Sequence, residues 1–177
     1  MTHCTPNAGC GTTDCALMGG SEEVEEKLLE TWAIHDRINV YFLDAIPADA
    51  LGASLSPKGR TVYDLFAHIH NVRLLWLKSA SADLLDGLAK IETKSVGDQT
   101  NLRDSLAASG RAISELLKRA FAGDGKIKGF KPHAVAFLGY LISHESHHRG
   151  QAGWALKFSG HPLDQKTAYG LWEWGVR

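Results

Sequence analysis

Apolar residues recur at three- and four-residue spacing in four separate stretches of the chain, and no stretch shows the period-two alternation of a half-buried strand. Val24, Leu28, Leu29, Trp32, Ile38 and Phe42 place a first amphipathic helix over about 21–45. Ser21 would serve as its N-cap, with Glu22 and Glu23 at the positive end of the helix. Pro47 and the segment GASLSPKGR mark a loop. Val62, Leu65, Phe66, Ile69, Val72, Leu75 and Trp76 give a second helix over about 61–79, and residues 87–97 are irregular. Leu102, Leu106, Ile113, Leu116, Leu117, Ala120 and Phe121 give a third over about 99–122, stopped by the glycines of GDGKIKG. Pro132 suits the first position of a fourth helix, because its missing N–H is not needed there. This helix runs through Trp154 to about Phe158 and is closed by SGHP. The remainder, LDQKTAYGLWEWGVR, is short and aromatic, suited to covering one end of a bundle or to a subunit contact. The pattern predicts an all-α, antiparallel four-helix bundle.

A length of 177 residues with 44% apolar content is about one domain with a substantial core, residues 21–177, preceded by an arm of residues 1–20. The formal net charge of -1, without a basic run, speaks against nucleic acid or an anionic membrane as partner. No apolar run is long enough for a membrane span and no secretory pattern opens the chain, so the expectation is a cytoplasmic protein. The arm carries Cys4, Cys10 and Cys15, an odd number confined to one end, which is not a disulfide framework. With His3 these thiols could form a small metal or redox site, but the spacing matches no Cys-x-x-Cys signature, and a surface tail with incidental thiols is the simpler expectation.

The chemistry is concentrated in HESHHRGQ, residues 144–151. His144 and His148 stand four residues apart and so project from one face of a helix, one turn apart, where they can share an ion. Phe137, Leu141, His144, His148, Ala152 and Ala155 follow a buried seam, whereas His147 falls to the flank with Tyr140 and Trp154. A catalytic metal site usually takes three protein ligands, so a third is expected from a neighbouring helix. The second helix offers AHIH: His68 is in step with Leu65, Val72 and Leu75, and His70 with Phe66, Arg73 and Leu77; the seam favours His68. Three neutral imidazoles leave the ion's charge uncompensated, which acidifies a bound water or thiol. They suit zinc, nickel, cobalt, copper or ferrous iron, with zinc or nickel the expected metal. His35 is either a fourth ligand, a group supporting the ligands, or a hydrogen-bonded core histidine, and His133 and His161 read as loop residues.

His144-Glu145-x-x-His148 also matches the helix of zinc peptidases, in which the glutamate is the base. The extended form fails, because Gln151 and Trp154 stand where a glycine and a third histidine are required. Glu173 is the sole glutamate downstream, and there is no strand edge to hold an extended peptide. Hydrolysis remains a lesser alternative, with Glu145 the candidate base. Elsewhere Glu145 would orient a ligand, contact a neighbouring helix or face water.

FAHIHNVRLLWL, LISHESHHRGQ and the closing LWEWG together resemble the DinB family, in the DinB/YfiT-like superfamily of metal-binding four-helix bundles, from about residue 21 onward. The resemblance implies a divalent ion held by one histidine of the second helix and two of the fourth, which map to His68, His144 and His148. It also implies a homodimer, and a transferase or isomerase that presents a low-molecular-weight thiol to an electrophilic small-molecule substrate. A non-catalytic, stress-associated metal-binding dimer is the alternative. Arg149 and Gln151, beside the ligands, are candidates for contacting an anionic or amide-bearing substrate, or else for a salt bridge and a helix-surface hydrogen bond. Gly150 and Gly153, costly inside a helix, imply a close approach by another backbone. Trp76 and Trp154 are expected in the core or at an interface.

Overall fold

A computed structural model describes residues 12–93 and 96–177, with side chains from residue 22 onward. Cys4 and Cys10, the side chain of Cys15, and hence any site on the arm lie outside the described residues. The helices are α1 (Thr12–Asp44), α2 (Val62–Ala80), α3 (Gln99–Ala122), α4 (Ala134–Phe158) and a short α5 (Gln165–Gly170); among the described residues there is no strand, and isolated bridges such as Ser54 with Thr61 occur only in loops. No described helix is long and apolar enough to cross a membrane.

Local chemistry sets the ends of these helices. Thr61 and Asp64 form a reciprocal capping box at α2, and Asp98 caps α3 through the amides of Thr100 and Asn101. The start of α4 differs from expectation. His133 rather than a residue before Pro132 is the N-cap, its Nδ1 accepting from the Ala136 amide, so Pro132 precedes the helix and His133 has a structural task. α1 begins nine residues before Ser21, which therefore lies within the helix. α5, missed because six residues are too few to show a period, is capped by Asp164 through the Thr167 amide.

The helices form a four-membered ring in which α1 and α2 each pack on α3 and α4. Contacts fix the directions. Trp32 donates to the Gly110 carbonyl and Asp44 pairs with Arg103, so α1 and α3 are antiparallel; His68 lies against His144 and Trp76 against Phe137, so α2 and α4 are too. His35 meets Glu145 and Asn39 meets Arg149, so α1 and α4 run parallel; with α1 antiparallel to α3 and α4 antiparallel to α2, α2 and α3 are parallel as well. The predicted all-α bundle is found, with two antiparallel and two parallel neighbouring pairs. The parallel α2–α3 pair requires the intervening chain to return along the bundle. It is fastened to α2 by Asn71, whose side chain donates to the Ile91 carbonyl and accepts from the Ile91 amide, and by His70, which donates Nε2–H to the Ala89 carbonyl.

Two apolar clusters fill the ring, one around Phe42, Phe66, Leu102 and Leu156, the other around Trp32, Leu77, Ile113 and Phe137. Polar side chains occupy the level between them. At this level a Cβ on Gly110 of α3 would be driven into the Asp36 carboxylate, which Arg73 holds by an ion pair of 2.7 Å and which cannot swing away without leaving it. Gly110→Ala is therefore expected to lower stability by about 1–3 kcal/mol despite alanine's better helix propensity. A urea unfolding midpoint that falls at unchanged slope would show it.

Candidate metal centre

His68 of α2 and His144 and His148 of α4 converge: one ring nitrogen from each lies within 4.8 Å of the others. The Nε2 atoms of His144 and His148 are 3.2 Å apart. Two nitrogen ligands at about 2.05 Å from a tetrahedral zinc ion would be separated by about 3.3 Å, so the spacing already fits a shared cation. The tautomer fits as well. Gln151, one turn on, accepts at Oε1 from Nδ1 of His148 at 2.9 Å, which puts the proton on Nδ1 and leaves the Nε2 lone pair facing the other two rings. Tyr140 stacks on His144 with ring centroids 5.9 Å apart, and Phe130, Phe137 and Trp76 back it as an aromatic wall.

All three imidazoles are kept neutral. Burial pushes His68 down to about 4, helped by the charge of Arg60 and by its histidine neighbours. Burial likewise lowers His144 and His148, opposed at His148 by the Gln151 bond. A metal ligand must be unprotonated, so these shifts favour ligation at neutral pH. Because Gln151 fixes the ring and tautomer, Gln151→Leu, which keeps the bulk but removes the acceptor, should weaken metal binding by about 10–100-fold. Competition against a chromophoric chelator measures this directly.

His68 meets the α4 histidines for a different reason than the seam of α2 suggests. The deep seam of that helix is Phe66, His70, Arg73 and Leu77, whereas Leu75, in step with His68, is 66% exposed. His68 reaches His144 and His148 because it sits at the edge of α2 that borders α4. His70 stands outside the cluster: it is buried against α3, with Ser109 Oγ 3.0 Å from Nδ1 and the Ala89 carbonyl at Nε2. Tyr140 lies on His144 and not beside His147, and the His147 ring is exposed 5.2 Å from that of His148.

Glu145 is not placed as a base for the metal centre. It is 1% exposed, and its carboxylate accepts from Arg73 Nε at 2.8 Å, Arg73 Nη2 at 2.7 Å, Asn39 Nδ2 at 2.6 Å and His35 Nε2 at 2.9 Å. Oε2 receives three of these donors and Oε1 receives Arg73 Nε, so the carboxylate is committed to α1 and α2 and not to the histidine cluster. Burial alone would raise this carboxyl, but Arg73 and then His35 outweigh it and hold it at about 2. Arg73 is fully buried, gives Nη1 to Asp36 and to the Leu106 carbonyl, and lies over the Trp32 ring. His35 is accordingly a hydrogen-bonded core histidine, and its Nδ1 receives Arg149 Nη1 at 3.3 Å. Arg149 also donates to Asn39 Oδ1 at 2.6 Å and Ser146 Oγ at 2.8 Å. Arg149 therefore stands on the α1 side of α4, and Gln151 supports a ligand; neither meets the other's partners.

Arg73, Asp36 and Asn39 carry this polar layer but were not singled out from the sequence. A signal existed in the register: Arg73 interrupts an apolar seam on α2 and Glu145 one on α4, with opposite charges that can neutralise each other inside the bundle.

The DinB family model matches residues 18–174, nearly the whole chain. The chain belongs to the DinB family. A crystal structure of a DinB-like protein from Bacillus cereus ATCC 10987 superposes on this DinB chain with a TM-score of 0.63, at 21% identity, covering 78% of this chain and 95% of that one. At that identity the likeness bears on the fold. None of the curated proteins compared with the chain matches it. The three clustered imidazoles, on α2 and α4, fall within the span matched to the DinB family.

Proposed function

We propose that this DinB protein holds one divalent cation, zinc or nickel, on His68, His144 and His148, and uses the site to transfer a low-molecular-weight thiol to an electrophilic small molecule. The observation that carries the reading is the meeting of three neutral ring nitrogens with the His148 lone pair aimed among them by Gln151. When bound, a dication lowers the pKa of a thiol or water beside it. In the reaction proposed, the thiol gives its proton to solvent, a sulfur–carbon bond forms, and the electrophile's leaving group departs with the electron pair of the bond it loses. The chain's own contribution is placement. Beside the ligands, a cavity of about 200 Å³ is lined by Leu55, Gly59, Arg60, Leu65, Gln151 and Ala155. Arg60 brings a positive charge that attracts a thiolate, and the leucines offer the apolar contact that excludes water.

Peptidase chemistry is disfavoured by the commitment of Glu145 to Arg73. A homodimer belongs to the same proposal, supported by the exposed aromatic surface of Trp154 stacked on Phe158. Elemental analysis of protein purified without added metal, followed by a screen of small thiols against electrophiles, tests the reading. One equivalent of metal with thiol-dependent turnover lost in His68→Ala supports it. Bound metal with no thiol raising turnover or perturbing the metal's spectrum would favour a non-catalytic metal-binding protein instead.

A further inference from the structure

A second cavity, of about 340 Å³, lies on the opposite side of α4 from the imidazoles. Its walls are Phe42 of α1, Leu163, and Leu171, Trp172 and Trp174 of the C-terminal segment; Ser146, Arg149, Gly150 and Gly153 of α4 form its floor. The two glycines keep that floor open: a Cβ on Gly150 would meet nothing within 4 Å, and one on Gly153 would just touch the Phe42 ring at 4.0 Å. Their place inside a helix, which the sequence reading assigned to a close backbone approach, is explained by this space.

Arg149 is the one cation in the lining. Among the described residues its partners are Asn39 Oδ1, His35 Nδ1 and Ser146 Oγ, with no carboxylate at ion-pair distance. These contacts use Nη1 twice and Nη2 once, so of the five guanidinium N–H donors the Nε–H and one Nη2–H are left over. The contrast with Arg73 is instructive, since Arg73 gives its Nε and Nη2 to the two oxygens of Glu145. The guanidinium thus keeps a free pair of donors beside an apolar cavity. Such a group is matched by a planar anion that can accept two parallel N–H bonds. The cavity's size is at the small end for organic ligands, and its walls are rings and aliphatic chains.

We propose that this pocket is a ligand site separate from the metal centre, binding a small amphipathic carboxylate whose head meets Arg149 and whose apolar body lies among Phe42, Leu171, Trp172 and Trp174. Trp172, 80% exposed, would be covered by such a ligand. This site does not depend on the metal, and its test is independent of turnover.

4-Phenylbutyrate serves as probe, with its neutral amide as the matched control, titrated calorimetrically into the full chain with and without chelator. The carboxylate is expected to bind at one equivalent per chain, at least tenfold tighter than the amide, and equally in His68→Ala. Gly150→Leu, which improves helix propensity while filling the floor, should weaken it by more than tenfold. Trp172→Ala, at an exposed position that the fold does not need, should also weaken it. No binding at millimolar probe, equal affinity for the amide, or unchanged affinity in Gly150→Leu and Trp172→Ala would overturn the proposal. Loss of binding in His68→Ala would also overturn it, by placing the probe at the metal centre.

Discussion

Glu145→Gln is expected to lower the unfolding free energy at pH 7 by about 3–5 kcal/mol, the range for breaking a buried ion pair from one side. The native carboxylate receives four N–H groups from three residues, and an amide can accept at one of its two ends only. Its NH2 would point at a donor of Arg73 or of the Asn39–His35 pair, and Arg73 would keep its charge at zero exposure with Asp36 as sole counter-ion. Replacing the pair together, Arg73→Met with Glu145→Leu, should cost less than Glu145→Gln alone, because no uncompensated charge is then buried. Denaturant midpoints of the two variants decide this. If Glu145 were instead the base of a hydrolase, Glu145→Gln would abolish activity at unchanged stability. The pH dependence has a definite sign. The carboxyl sits at about 2 in the folded chain against an ordinary 4.5, so its contribution is complete above about pH 4.5 and drains away as pH falls toward 2. That part of the acid-unfolding profile should be missing in Glu145→Gln.

How far the sequence spoke for itself differs by level. The bounds of α3, Gln99–Ala122, follow from an apolar period flanked by Asp98 and a glycine run, and α2 differs from expectation by one residue because its N-cap chemistry is local. The parallel α2–α3 pair was not legible. It depends on Asn71 and His70 fastening a returning chain with no period of its own. At the centre, i,i+4 spacing was enough for His144 and His148, since it is a property of one helix. His68 needed the relation between two helices: a seam orders the faces of one helix by depth, and a metal ligand sits where two helices border each other, not where one is deepest. Glu145 shows the same limit from the other side. Read along α4 it is the middle of a peptidase motif; read across the bundle it is the counter-ion of Arg73.

His148→Ala should abolish metal-linked stabilisation of the native chain. At free zinc a hundredfold above its dissociation constant, a native-state site raises stability by about 2.7 kcal/mol. Wild-type protein is therefore expected to melt higher with zinc than with chelator, and His148→Ala to melt alike in both. Losing a ligand removes the bond itself, so the affinity should fall further than the 10–100-fold expected of Gln151→Leu. His70→Ala supplies the contrast: it empties a core position bonded to Ser109 and Ala89, so it should lose stability while keeping the zinc response. If His70→Ala abolishes that response and His148→Ala does not, the centre is on the α3 side and the assignment of His68 fails with it. Protons offer a second handle on the same three rings. With His68 held at about 4 and burial lowering the other two below their ordinary 6.5, zinc affinity should persist to lower pH than that of a site of exposed imidazoles. The metal-free chain responds to pH in its stability. Between about pH 6.5 and 4 the unfolded histidines take up protons that the folded ones refuse, and stability declines as pH drops. An affinity that begins to fall near pH 6.5, like that of exposed imidazoles, would mean that the three rings do not meet in a desolvated site.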